Sequence, residues 1–126
     1  MENSRKATTE LTETLEKMQS VVQLFSAVDA EMQLQVLRIL MTVAEYPDGV
    51  TMPELTKLAQ VSSSSLSRNV ALLGQFGSTK KPALKWITAT EDFRERRRKV
   101  VKMTAKGTRI LEQVREILES DKWKAI

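Results

Sequence analysis

The side chains best placed to do chemistry are four consecutive serines, Ser62, Ser63, Ser64 and Ser65, followed by Ser67 and Arg68. At a helix N-terminus, short hydroxyl side chains and free N–H groups can approach phosphates or base edges closely. An arginine one turn further on can reach a guanine edge or a phosphate. The chemistry on offer is hydrogen bonding to an anionic polymer rather than bond making. A second cluster, Arg94, Arg96, Arg97 and Arg98, puts four guanidinium groups within five residues. Such a density suits an anionic partner. The bland alternatives are a solvated helix start with one surface arginine, and a solvated charged loop.

Catalysis has little to work with. The 126 residues contain no histidine and no cysteine. The commonest general base, the common nucleophile pairs and most transition-metal ligands are therefore missing. No two carboxylates stand at a spacing that suggests a shared Mg²⁺ site, and no Gly-rich phosphate loop is present. The chain is expected not to be an enzyme and to need no cofactor or metal. Without cysteine it holds no disulfide, which fits a reducing compartment. No apolar run is long enough to span a membrane, and the charged start MENSRKATTE does not resemble a signal peptide. A cytoplasmic location is expected.

The serines need an element to present them. The stretch 51–73, TMPELTKLAQVSSSSLSRNVALL, reads as two short helices joined by a tight turn. Thr51 is the expected N-cap of the first, with Pro53 in its first turn and Glu54 three residues after the cap. Leu55, Leu58 and Ala59 form its apolar face. Gln60 and Val61 make the turn. Ser62 caps the second helix, because its oxygen can accept an orphan N–H. Leu66, Val70 and Leu73 recur at i, i+4, i+7 and face a core, which leaves Ser63, Ser64, Ser67, Arg68 and Ala71 outward. This is a helix-turn-helix.

Elements on either side support that pair. An amphipathic helix is expected from about Thr9 to Ala27, with Leu11, Leu15, Met18, Val22 and Phe25 as its stripe. Asp29 is read as the cap of a second, nearly all-round apolar helix over about 30–46, including Leu34, Leu37, Leu40 and Met41. Tyr46-Pro47-Asp48-Gly49 is a turn, and Val50 a short strand. Gly74 and Gly77 end the reading helix. Leu84–Thr90 and Arg98–Met103 read as two strands with Glu91–Arg97 as a charged tip, a hairpin of the kind called a wing. Thr104 caps a last helix with Ile110, Leu111, Val114, Ile117 and Leu118 in its stripe. Trp123 and Ile126 are either a tail packed on a partner subunit or a cut edge.

Charge is distributed unevenly. The formal net charge is +4, yet residues 1–60 carry a net −4 and residues 80–109 a net +8. A basic segment directly after a candidate reading helix is the electrostatic footprint expected for nucleic acid.

These motifs resemble the MarR family of winged helix-turn-helix transcription regulators. The stretch from Leu55 to Val70 is similar to that family's helix pair, in which serines or threonines followed by Arg open the recognition helix. Glu95-Arg96-Arg97-Arg98-Lys99-Val100-Val101-Lys102-Met103-Thr104-Ala105-Lys106-Gly107 is similar to its wing motif. The resemblance covers about residues 30–115. Three departures stand out. Glu95 stands where the family usually has Asp, Asp92-Phe93-Arg94 offers a competing register, and Ser78–Leu84 is an insertion. The chain ends where the family commonly has a further helix. The resemblance implies a dimer resting mostly on the terminal helices.

The expectation is a mainly α protein with a small β-hairpin wing, a winged helix-turn-helix with long N- and C-terminal helices in a single domain. Residues 30–107 would form the DNA-binding lobe, with 9–28 and 108–126 as dimerisation helices. Double-stranded DNA is the expected partner, through Ser62, Ser63, Ser64, Ser65, Ser67, Arg68, Arg94, Arg96, Arg97 and Arg98. A homodimer would meet through Leu11, Leu15, Met18, Val22, Phe25, Val114, Ile117 and Leu118. The sequence names no small-molecule effector. A non-operator DNA-binding accessory factor and a protein-interaction winged helix stay open as alternatives.

Overall fold

The computed structural model describes residues 9–91 and 98–120. They form α1 (Thr9–Ser26), α2 (Leu34–Ala44), β1 (Val50–Thr51), α3 (Met52–Ala59), α4 (Ser63–Leu73), β2 (Ile87–Glu91), β3 (Lys99–Met103) and α5 (Ala105–Leu118). Two compact units result, one of residues 9–32 with 111–120, the other Gln33–Ile110. This is a mainly α winged-helix architecture with a small antiparallel sheet. No helix among the described residues is long and apolar enough to cross a membrane.

The Gln33–Ile110 unit, called the lobe below, is built on α2. Val36, Ile39, Leu40 and Val43 are all buried on it. Against these residues the lobe adds Leu55 and Ala59 of α3, Leu66 and Leu73 of α4, and Val50, Trp86, Ile87 and Val101. The sheet order is β1-β3-β2. Val50 pairs with Val101, and Ala89 lies across from the same residue. The buried Val101 therefore sits at the centre of three strands.

Two expectations are corrected. Asp29 does not cap a helix over 30–46. Its Oδ1 accepts the Glu31 N–H at 3.0 Å, and its carbonyl accepts the Met32 N–H at 3.1 Å. An aspartate that closes its own turn in this way competes with helix initiation. Helix α2 starts only at Leu34, after an extended Gln33 that gives no side-chain cap. Leu34 is consequently 83% exposed and does not join the apolar face. The strand expected from Leu84 begins at Ile87 instead. The N–H groups of Leu84, Lys85 and Trp86 donate to the carbonyls of Leu72, Gly74 and Leu73. These three residues satisfy the orphan acceptors at the end of α4, so they cannot join a ladder.

The 46–49 turn closes through the Gly49 N–H to the Tyr46 carbonyl at 2.8 Å. Gly49 has φ +103 and packs against Val100, so a side chain there would meet both strain and a clash.

Candidate nucleic-acid interface

Helix α3 opens with a complete capping box. Thr51 Oγ1 accepts the Glu54 N–H at 3.3 Å, and Glu54 Oε1 accepts both the Thr51 N–H at 3.1 Å and the Thr51 hydroxyl at 2.7 Å. The hydroxyl bond, then the backbone bond, holds the Glu54 carboxyl below its usual range, and the Arg98 guanidinium adds a smaller pull. A carboxylate stabilised in the folded state contributes above its unfolded pKa and loses that contribution as pH falls through the lower folded value. Wild type should therefore exceed Glu54→Gln in thermal midpoint near neutral pH. The gap should close as pH drops below about 4, the ordinary carboxylate range. A gap independent of pH would show that the charge of Glu54 does no stabilising work.

Gln60, in the left-handed region at φ 57, ends α3. Its Oε1 accepts from Arg38 Nη1 at 3.4 Å, which ties the turn to α2. The four serines then divide their work. Ser62 is the N-cap of α4, accepting the Ser65 N–H at 3.2 Å, and its Oγ lies 3.3 Å from that of Ser64. Ser63, Ser64 and Ser67 are exposed, whereas Ser65 is half-buried. Arg68 is exposed and donates from Nη2 to Ser65 Oγ at 3.2 Å. It forms no ion pair with any described residue, and α4 contains no acid to neutralise it.

The inner face of α4 is fixed to α2 by more than apolar packing. Asn69 Nδ2 donates to Gln35 Oε1 at 2.9 Å in a partly buried site. The sequence gives this contact only one sign. Asn69 lies three residues after Leu66 and four before Leu73, both buried, so helical spacing turns it toward the lobe.

Of the wing arginines, Arg98 is described and exposed. Arg94, Arg96 and Arg97, with Glu95 and the competing Asp92-Phe93-Arg94, lie outside the described residues, as do Trp123 and Ile126. The hairpin itself adds two exposed cations the motif reading did not single out. Lys99 stands across from Glu91, and Lys102 across from Thr88.

The Thr104–Gly107 end of the wing motif has a structural purpose. The Thr104 N–H donates to the Trp86 carbonyl at 3.0 Å, and its hydroxyl donates to the Lys85 carbonyl at 2.7 Å. That hydroxyl also accepts the Gly107 N–H at 3.0 Å, capping α5. One threonine thus joins the exit of the hairpin to its entry. Lys85, at φ 60, is held in a left-handed conformation at this seam.

In the other unit, Leu11, Leu15, Met18, Val22 and Leu118 are each 45–59% exposed, Val114 and Ile117 half-buried, and Phe25 buried. Lys17 Nζ donates to the Leu118 carbonyl at 3.2 Å, joining α1 to the end of α5. Among the described residues no cluster of three or more acidic side chains could hold a metal ion.

No family model and no curated protein sequence matches the chain. Solved structures do. A DNA complex of MepR from S. aureus superposes with a TM-score of 0.65 at 19% identity, covering 90% of this chain and 86% of that one. RV1404 from Mycobacterium tuberculosis gives 0.69 at 17%, covering 95% and 80%. Apo MarR from E. coli gives 0.60 at 21%, covering 90% and 76%. The chain has the MarR winged-helix fold. In the MarR fold of this chain, α3 and α4 are the helix pair, and β2 and β3 the wing. The hydroxyl-rich face of α4 and the basic hairpin belong to the same lobe.

Proposed function

We propose that the chain is a member of the MarR family that binds double-stranded DNA sequence-specifically as a homodimer and represses transcription by occupying a promoter. The observation that carries this is Arg68. It stands exposed on the outer face of α4 with no acidic partner among the described residues, beside the exposed hydroxyls of Ser63, Ser64 and Ser67. A guanidinium left unneutralised beside small donors suits a major groove. MepR, a structural neighbour, has been crystallised with DNA. The DNA-binding segment, residues 30–107, would bring Ser62, Ser63, Ser64, Ser65, Ser67 and Arg68 to the major groove. Arg94, Arg96, Arg97 and Arg98 would grip the backbone or the adjacent minor groove. No catalytic role is assigned to any residue, and a cytoplasmic location goes with this reading.

The dimer would form through residues 9–28 and 108–126. Four aliphatic side chains at helical spacing on α1, about half exposed in the single chain, support this, because such stripes mark interaction surfaces. Leu118 on α5, 45% exposed, would extend the patch. Val114 and Ile117 would line it, and Phe25 would support it from within the chain. Leu15→Glu with Met18→Glu should convert the protein to a monomer in sedimentation equilibrium. It should also weaken operator binding by orders of magnitude, since two half-sites would no longer be read together. A double variant that still sediments as a dimer would rule out α1 as the interface.

Selection from a random duplex pool at physiological ionic strength tests the whole reading, since affinity depends steeply on salt. A near-palindrome with half-sites about one helical turn apart is expected. Retention of DNA without a motif would favour an accessory DNA-binding factor. No retention would favour a protein partner.

A further inference from the structure

Ser65 stands apart from its neighbours. It is the half-buried member of the serine run, its N–H is spent on the Ser62 cap, and its Oγ accepts from Arg68 Nη2. From these contacts we infer that Ser65, though carried to the groove with its neighbours, is a positioning residue, which sets the Arg68 guanidinium for base recognition and makes no DNA contact of its own. The inference rests on the proposed role of Arg68 in reading a base.

A free arginine side chain has many rotamers, and ordering it on binding is unfavourable. A tether in the free protein removes part of that cost. An acidic tether would do so more firmly, but it would also neutralise the charge and compete with guanine or phosphate for the same N–H groups. A serine hydroxyl accepts one N–H and leaves the charge intact. The guanidinium has five N–H donors, so four remain after this bond. One hydrogen of Nη2 and the rest of the fork stay available for a two-point contact with a guanine edge. Ser65 is itself anchored, because its backbone is locked into the first turn of α4 by the Ser62 hydroxyl. The chain of contacts runs from the cap, through Ser65, to the fork.

The test uses the full chain and its selected duplex, together with all single-base variants of that duplex. Arg68→Ala first identifies the base position at which discrimination disappears. Ser65→Ala should reduce discrimination at that same position by about threefold to tenfold, the range expected for ordering one long side chain. The salt slope should stay unchanged, because no phosphate contact is removed. Ser65→Thr, which keeps the hydroxyl, should restore discrimination. In the Arg68→Ala background, Ser65→Ala should add nothing. Alanine is the better helix former, so loss of fold is not expected, and the thermal midpoint checks it. An effect of Ser65→Ala that is additive with Arg68→Ala, or spread over all positions, would make Ser65 a DNA contact and overturn the inference. So would an undiminished preference in Ser65→Ala when Arg68→Ala abolishes it, with Arg68 still credited as a reader. If Arg68→Ala itself changes no base preference, the reading of Arg68 fails, and the positioning role of Ser65 is overturned with it.

Discussion

Gly107→Ala is expected to destabilise the lobe by about 2 kcal/mol, although most glycine-to-alanine changes inside a helix stabilise. In an ordinary exposed helix position, alanine gains about 1 kcal/mol over glycine. Gly107 is buried in α5. A Cβ built on it would run into the Trp86 carbonyl oxygen, and would lie 2.8 Å from both the Trp86 carbonyl carbon and Met103 Cε. Met103 Cε can swing away, but the Trp86 carbonyl cannot. It already accepts the Thr104 N–H, and Trp86 is pinned through its own N–H to Leu73. Overpacking against a fixed backbone costs about 3 kcal/mol, and the helix-propensity gain offsets about 1 of that. The thermal midpoint should fall by roughly 6–10 °C in a chain of this size. Denaturant unfolding followed by tryptophan fluorescence would measure it. A neutral or stabilised Gly107→Ala would mean that α5 can slide off the Trp86 carbonyl and that the seam is not rigid.

This seam explains a motif without assigning it to DNA. Thr104 and Gly107 could be read from the sequence only as a helix start within a familiar pattern. The structure gives them one task. They hold β3, α5 and the entry to β2 in fixed relation, so the direction of the hairpin follows from the packing of α5. A defect at Gly107 should therefore reach the wing as well as the stability of the lobe.

Legibility followed sequence distance. The Thr51–Glu54 box and the Ser62 cap each span three residues, and both are present as the residue types require. The 46–49 turn is equally local. The errors came where two structures competed for one residue. Asp29 offers the same oxygen to a helix N-terminus or to its own turn, and the turn took it. The apolar and β-branched content of Leu84–Ile87 fits a strand, but the carbonyls ending α4 claimed the first three N–H groups. Contacts joining distant positions left almost no trace. Gln35 and Asn69 are separated by 34 positions, and neither residue type announces a pair. On α4 the periodicity places Ser63, Ser64, Ser67, Arg68 and Ala71 outward; the four polar residues are exposed, whereas Ala71 is half-buried. Periodicity could not reveal that the hydroxyl of the half-buried Ser65 accepts from the exposed Arg68.

Reading and gripping should separate cleanly in binding measurements. Arg68→Ala is expected to lose about 1–3 kcal/mol at one base position while leaving the others largely unchanged, as removal of a two-point bond to a base predicts. Arg96→Ala and Arg97→Ala should instead weaken binding evenly across duplex sequences. Each should also flatten the dependence of log K on log salt by about one unit, because a phosphate without its arginine keeps its counterion on binding. The contrast is physical. Arg68 sits on a rigid helix packed through Leu66, Leu73 and Asn69, so its guanidinium can be held to the geometry of one base. The wing arginines follow one another along the chain at a density suited to a line of phosphates. Titrations of the three variants against the selected duplex and its single-base variants, at several salt concentrations, would decide the matter. Uniform weakening by Arg68→Ala with a reduced salt slope would make it a phosphate contact and move sequence reading to the serines. Unchanged slopes in Arg96→Ala and Arg97→Ala would remove those arginines from the phosphate contacts, leaving α4 with Arg98, Lys99 and Lys102 of the hairpin to hold the DNA.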